Sequence, residues 1–214
     1  MILYDHLNIS LPSRTHVSPE DRARLSWQDH ANDLSSLDIR PFGSGSTQLR
    51  WVYSSSYEVG CSFYSRDARV VDGQIVYATI AQGPQHSIYT LSPSAPVFER
   101  RLNEVRFPAS KAHMWDSHQR DLGGNGLFFA VESARVPVLS VDGSVGLRSS
   151  ASTNPGFRPN DPENPLPASF AYRPTNFEAP ASNGQEEEQV VGRMRWTRWG
   201  LRGRDFNGPE VTAP

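Results

Sequence analysis

The densest set of side chains able to hold a metal ion is His113, Asp116, His118 and Asp121. Zinc chemistry would need three or four such groups turned to one point, and in the metalloprotease form a glutamate between two histidines on a helix. Here the two histidines have no glutamate between them and fall where a strand or loop is expected. The set therefore reads as polar side chains at the surface, with no tightly held transition ion. A second set, Asp161, Glu163 and Asn164 in RPNDPENP, offers hard oxygens suited to a weak calcium loop. It lacks the regular ligand spacing of an EF-hand, so a solvated loop is the simpler reading and no cofactor is expected. Nucleophiles are equally sparse. Cys61 is the single cysteine, cannot form an internal disulfide, and reads as a small buried hydrophobe. No serine stands in a G-x-S-x-G elbow; Gly43 to Ser46, GSGS, is linker-like. Lys111 is the only lysine, so a phosphate loop with its lysine is absent. No catalytic residue is assigned, and the chain reads as a non-enzyme.

Arg193, Arg195, Arg198, Arg202 and Arg204 alternate with Trp196, Trp199 and Phe206, the side-chain types that neutralise phosphates and stack on bases. Glu186 to Glu188 precede them, Asp205 and Glu210 stand among or after them, and the net charge is -2. Internal ion pairs and arginine stems over tryptophans account for the cluster without a nucleic-acid partner. Trp51, Trp115, Trp196 and Trp199 would make a sugar platform if exposed, which keeps a soluble carbohydrate-binding or carbohydrate-active β domain as the rival function. A β core would place them inside.

The elements that must position these residues are mainly β. In TQLRWVYSSSYEVGCSF, 47 to 63, Leu49, Trp51, Tyr53, Tyr57, Val59, Cys61 and Phe63 take odd positions, which predicts a half-buried strand broken or bulged near Ser54 to Ser56. Before it, Ser18 as N-cap, Pro19 at the first position and the spacing of Ala23, Trp27, Ala31, Leu34 and Leu37 predict one helix over 19 to 36, its Trp27 stripe against the sheet. A hairpin is expected from Val70-Val71 across Asp72-Gly73 into GQIVYATIA, with HSIYTL at 86 to 91 pairing next. A short helix is allowed around Phe98, Leu102 and Val105, and a strand in KAHMWDSH. VPVLSV, Asp142-Gly143 and SVGLR predict strand, two-residue type I′ turn, strand, with Val141 facing Ser144 and Ser140 facing Val145. On that register Val138, Ser140, Val145 and Leu147 share a face.

Seven of the 17 prolines fall between Ser149 and Gly184, so an irregular arm laid along the domain is expected, with no continuous strand. SNGQEEEQ, 182 to 189, reads as an exposed loop. RMRWTRWGLRGRDF then predicts a final strand with Met194 and Trp196 on one face and Arg193 and Arg195 on the other. The fold class is thus mainly β with one N-terminal helix (α+β), an antiparallel sheet, a single head domain over 1–206 and a flexible tail over 207–214. No stretch approaches the roughly 20 apolar residues of a membrane helix, so the chain as given is expected to be soluble, with no span and no leader.

Three stretches together, VRFPASKAHMWD (105 to 116), PVLSVDGSVGLRSSASTNPGFRPNDPENP (137 to 165) and RMRWTRWGLRGRDF (193 to 206), resemble the C-terminal part of bacterial prepilin-like proteins. The branch is the planctomycete-type one with a processing-associated DG domain, related to type II secretion pseudopilins and type IV pilins. Asp142 and Gly143, with Trp196 and Trp199, carry the structural motif, and LRWVYSSSYEV extends the likeness toward residue 1. The resemblance implies a pilin-head-like β domain, a structural subunit whose partners are other pilin-like or secretion-system subunits, and a location in the cell envelope or outside the cell. Two features differ from that pattern. The chain starts directly in the head, which a truncated frame or a late start would explain, and Glu132 stands ten positions before Asp142 where the family has histidine.

Overall fold

A computed structural model describes residues 13–41, 43–64, 69–71, 74–76, 100–120, 126–157 and 164–212. Its architecture is mixed α and β, with short helices and small antiparallel sheets. Helix α1 spans Arg22–Asp29. Asp21 caps it, its Oδ1 accepting from the amide of Arg24 at 3.2 Å. The expected helix over 19 to 36 is therefore shorter at both ends. Ser18 and Pro19 lie in a turn closed by Asp21 N–H to the Ser18 carbonyl, and Leu34–Ser36 is a separate 3-10 turn.

The expected long strand over 47 to 63 is mostly not a strand. Helix α2 occupies Ser46–Val52, followed by strand β1, Tyr57–Val59, and a 3-10 turn at Cys61–Phe63. The reason lies in Val52, which stands off the alternation. It is fully buried beside Trp27, whereas Leu49 and Tyr53, both on it, are exposed. Tertiary contact with α1 outweighed a two-residue period that only seven side chains carried. Trp27 accordingly packs on α2, Leu34 and Phe177, and not on the sheet. Its ring meets Phe177 edge-on at 4.7 Å, and its indole N–H donates to the Ile39 carbonyl at 2.9 Å.

Strands β2, Arg69–Val71, and β3, Gln74–Val76, form the anticipated hairpin in register Val70 to Ile75. Its turn Asp72-Gly73, the rest of GQIVYATIA, HSIYTL and Phe98 lie outside the described residues. A 3-10 turn at Leu102–Glu104 takes the place of the short helix. Strand β4, Ala112–Asp116, falls within KAHMWDSH, and strands β5, Arg135–Ser140, and β6, Val145–Ser149, complete an antiparallel sheet of order β1-β4-β5-β6. One face is buried by Trp115, Val136 and Val138.

The β5–β6 turn departs from the expected register by one residue. Leu139 pairs Val145 and Val138 pairs Gly146, so Val141, Asp142 and Gly143 form a three-residue loop. Gly143 has φ +87° and its amide donates to the Ser140 carbonyl at 3.0 Å. This is the type I turn with a glycine bulge, the next commonest hairpin after the two-residue loop. The one-residue slip separates the proposed face: Val138 and Ser140 are buried, while Val145 and Leu147 lie on the opposite side, exposed.

The proline-rich stretch also holds a strand that was not anticipated. Strand β7, Ser169–Tyr172, pairs antiparallel with β8, Glu188–Val191, so β8 ends before the arginine-tryptophan run. Phe170, Tyr172 and Val190 from this ribbon join Trp115, Phe128, Phe129, Met194, Trp196 and Phe206 in the main core. Phe128 and Tyr172 stack face to face, centroids 4.2 Å apart and 6° from parallel.

RMRWTRWGLRGRDF is not a strand. Met194, Trp199 and Asn207 all have positive φ, and Gly200–Arg202 is a 3-10 turn. The segment winds through the core, so Met194, Arg195, Trp196, Arg198 and Trp199 are all buried and the two-faced arrangement does not exist. Glycines make room for it: a Cβ on Gly192 would sit 2.1 Å from the Trp196 ring, and one on Gly156 would sit 2.0 Å from the Gly192 carbonyl oxygen.

Candidate functional site

Two polar clusters stand out; the first takes in Asp116 and His118 of the set that the residue spacing suggested, both of them buried and not at the surface. The first borders a cleft of about 460 Å³ between the start of α1, Gln119-Arg120 and residues 177 to 180. Asp21 sits at its back. Besides capping α1, its Oδ2 accepts from Arg24 Nη1 at 2.5 Å, Ser56 Oγ at 2.7 Å and Arg120 Nη2 at 3.1 Å. Burial pushes the Asp21 carboxyl up, but the guanidinium groups of Arg24 and Arg120 and the Ser56 hydroxyl outweigh it and hold it below the usual carboxylate range. Arg120 also pairs with Asp116 across the end of β4. Burial lowers the Arg120 guanidinium from its ordinary value against the pull of Asp21.

His118 forms the inner wall. Tyr172 donates its hydroxyl hydrogen to the Ala179 carbonyl at 2.5 Å, so His118 Nε2, 3.1 Å from the phenol oxygen, carries the proton and donates. Nδ1 then accepts, facing Ser117 Oγ at 2.9 Å and Arg120 Nη2 at 3.2 Å. Burial pushes the Tyr172 phenol up from its ordinary value. These groups are occupied with one another. The arrangement joins α1, the end of β4 and β7, and its chemistry is that of a structural ion-pair network.

This disperses the set of metal-ligand candidates. Asp116 faces Arg120, His118 faces Tyr172, and His113 lies over the Phe63 ring at 4.6 Å, burial lowering its imidazole below the ordinary value. Asp121 lies outside the described residues. Among the described residues no three His, Cys, Asp or Glu side chains converge. Of the calcium set, Asp161 and Glu163 lie outside the described residues. Asn164 Oδ1 accepts from the Leu166 amide at 3.0 Å, and its carbonyl accepts from Arg198 at 3.0 Å. Cys61 is buried, with the Tyr64 hydroxyl donating to its sulfur at 3.3 Å.

Of the arginine run, Arg195 and Arg198 are turned inward, Arg193 and Arg204 are half-buried and Arg202 is exposed. Arg195, 3% exposed, makes a two-pronged pair with Glu58 at 2.7 and 3.1 Å and lies over the Phe170 ring at 4.3 Å. Arg198 covers Phe157 at 3.5 Å and reaches Glu210 at 3.2 Å, and Arg204 covers Phe107 at 4.0 Å. Trp115, Trp196 and Trp199 are buried and Trp51 packs edge-on against Phe177 at 5.1 Å, so these rings form no open platform.

The second cluster was invisible in the spacing. Lys111 is wholly buried, and its ammonium lies 3.2 Å from Asp205 Oδ2, itself 2% exposed. The Thr197 hydroxyl bridges them, accepting from Lys111 Nζ and donating to Asp205 Oδ1 at 2.5 Å. Asp205 Oδ2 also accepts from the Ala112 amide at 2.9 Å. Backbone bonds tighten the same place: Asp205 N to Ser110 O at 2.8 Å, Arg106 N to Leu201 O at 3.2 Å, Val141 N to Lys111 O at 3.1 Å and Asn154 N to Asp205 O at 2.6 Å. A lone lysine among arginines was the available signal. Its partners are 86 and 94 positions away, which no local pattern reveals. Asp142 is exposed, its Oδ1 accepting from the Ser144 amide and hydroxyl, and those bonds hold its carboxyl below the usual range. It serves the turn. Among the described residues no helix is long and apolar enough to cross a membrane. Set beside protein-family models, curated proteins and solved structures, the chain finds no match among any of the three.

Proposed function

We propose that this chain is a non-enzymatic structural head domain of a prepilin-like, secretion-associated subunit whose partners are further subunits of the same kind. One observation carries the reading. The three stretches that bear the resemblance, 105 to 116, 137 to 165 and 193 to 206, meet at Lys111, Thr197 and Asp205 and are tied there by mutual backbone bonds. Residues shared with a family of scaffolding subunits then serve the scaffold: the DG loop turns the hairpin, and the arginine-tryptophan tail fills the core behind it. An enzyme would be expected to spend such residues on an open cleft, and in the cleft beside Arg120 the inner groups Asp21, His118 and Arg120 are paired with one another or with Tyr172.

The sugar-platform alternative loses its carriers, since the tryptophans it needs are packed. The decisive experiment maps the translation start in the source genome. An in-frame leader followed by about 20 apolar residues upstream of Met1 supports a membrane-anchored subunit. Initiation at Met1, with an in-frame stop close upstream, overturns it.

A further inference from the structure

The geometry points to a covalent bond in the buried cluster: an isopeptide amide between Lys111 Nζ and Asp205 Cγ. The chain has 21 basic residues and uses lysine once, at the position where the side chain is wholly buried against a buried carboxyl. Arginine, chosen everywhere else, cannot act as an amine nucleophile; lysine can, once it has lost a proton. Two charges held without water are costly, and passing one proton from the ammonium to the carboxylate removes both.

Each part of the condensation is in place. Lys111 Nζ, 3.2 Å from Oδ2, is the nucleophile and Asp205 Cγ the electrophile. The Ala112 amide, 2.9 Å from Oδ2, polarises that oxygen and holds the charge it gains on attack. Thr197 links Nζ to Oδ1, so its hydroxyl can take the proton from nitrogen while giving its own to Oδ1. The N–C bond forms, the Cγ–Oδ1 bond breaks, and Oδ1 leaves as water with two hydrogens. The amine and the acid supply every atom, and nothing is oxidised or reduced. The product ties the start of β4 to the C-terminal segment, fastening the place where the three resembling stretches meet. The proposal stands whether or not the chain is a pilus-like subunit.

Being the only lysine, Lys111 makes the test unambiguous. The purified chain is unfolded and treated with an amine-reactive reagent, and its intact mass is measured before and after. The expected result is a mass lower than the sequence by one water, no labelling at Lys111, and a branched tryptic peptide joining residues 107–120 to 205–214. Lys111→Arg, which keeps a cation beside Asp205, restores the missing mass, and Thr197→Val slows formation of the bond. A full-mass chain that labels at Lys111 and is cut after it by trypsin overturns the proposal and leaves an ion pair. Formation at an unchanged rate in Thr197→Val overturns the relay assigned to the hydroxyl.

Discussion

Replacing Arg195 by methionine removes a charge while keeping much of the volume over Phe170, which isolates the ion pair with Glu58. The guanidinium is 3% exposed and the carboxylate 12%, joined by two hydrogen bonds of 2.7 and 3.1 Å. Removing one member of a buried pair typically costs about 3 to 5 kcal/mol, because the other charge stays behind without its partner. Glu58 keeps some contact with solvent, so the lower end, about 3 kcal/mol, is expected. Glu58→Gln should cost less, about 1 to 2 kcal/mol, since an amide still accepts one of the two bonds. The double variant should then be more stable than the sum of the single costs predicts, with a coupling of about 1 to 3 kcal/mol. Urea denaturation followed by tryptophan fluorescence measures all four proteins, with equal slopes confirming comparable unfolding transitions. A loss below about 0.5 kcal/mol for Arg195→Met, or strict additivity in the double variant, would place this arginine at the solvated surface that sequence alternation assigns to it.

Four further outcomes follow from the same packing. Gly192→Ala should cost about 3 kcal/mol, the upper end for overpacking, because the Trp196 ring lies 2.1 Å from the new Cβ, whereas Gly143→Ala, with open space but φ +87°, should cost about 1; equal thermal shifts would contradict this. Trp196→Ala should lose about 3 to 5 kcal/mol, while the half-buried Arg193, which donates to the Thr153 carbonyl at 2.8 Å, should lose clearly less on truncation in the same titration. Because the folded Asp21 carboxyl is held below the ordinary value of 3.8, its stabilisation is present above that pH and is lost as pH falls toward the folded value. Acid titrations should show Asp21→Asn flattening this part of the profile, and an unchanged profile would remove Asp21 from the network. Prolonged chelation should leave the melting temperature unchanged, since His118 and Asp116 are committed to Tyr172 and Arg120; a drop on chelation, reversed by zinc, would require the site to be rebuilt.

Legibility followed the range of the forces involved. Cys61 is buried as expected but in a 3-10 turn and not on a strand face, while the Asp-Gly turn and the strand of KAHMWDSH were readable because short-range turn chemistry and local side-chain preference decide them. Even there the loop gained one residue, since Asp-Gly fits both a two-residue turn and the three-residue bulged one, and packing of Val138 and Ser140 chose between them. The 47 to 63 stretch misled for a related reason. A period of two describes which side chains would share a face if the backbone were extended, and Val52 against Trp27 made it helical for seven residues instead.

By itself, the sequence determined the chemistry available: one thiol, one lysine, many arginines beside aromatics, and enough turn signals for a mixed α and β domain. Only the tertiary structure decided where those groups go. Arg195, Arg198 and Arg204 turned inward because Glu58, Glu210 and the rings of Phe157, Phe170 and Phe107, all distant along the chain except Glu210, could neutralise or cover them there. Lys111 met Asp205 and Thr197 for the same reason. Burial of a charge depends on a partner arriving in space, and local propensity and periodicity hold no information about arrivals from almost a hundred residues away.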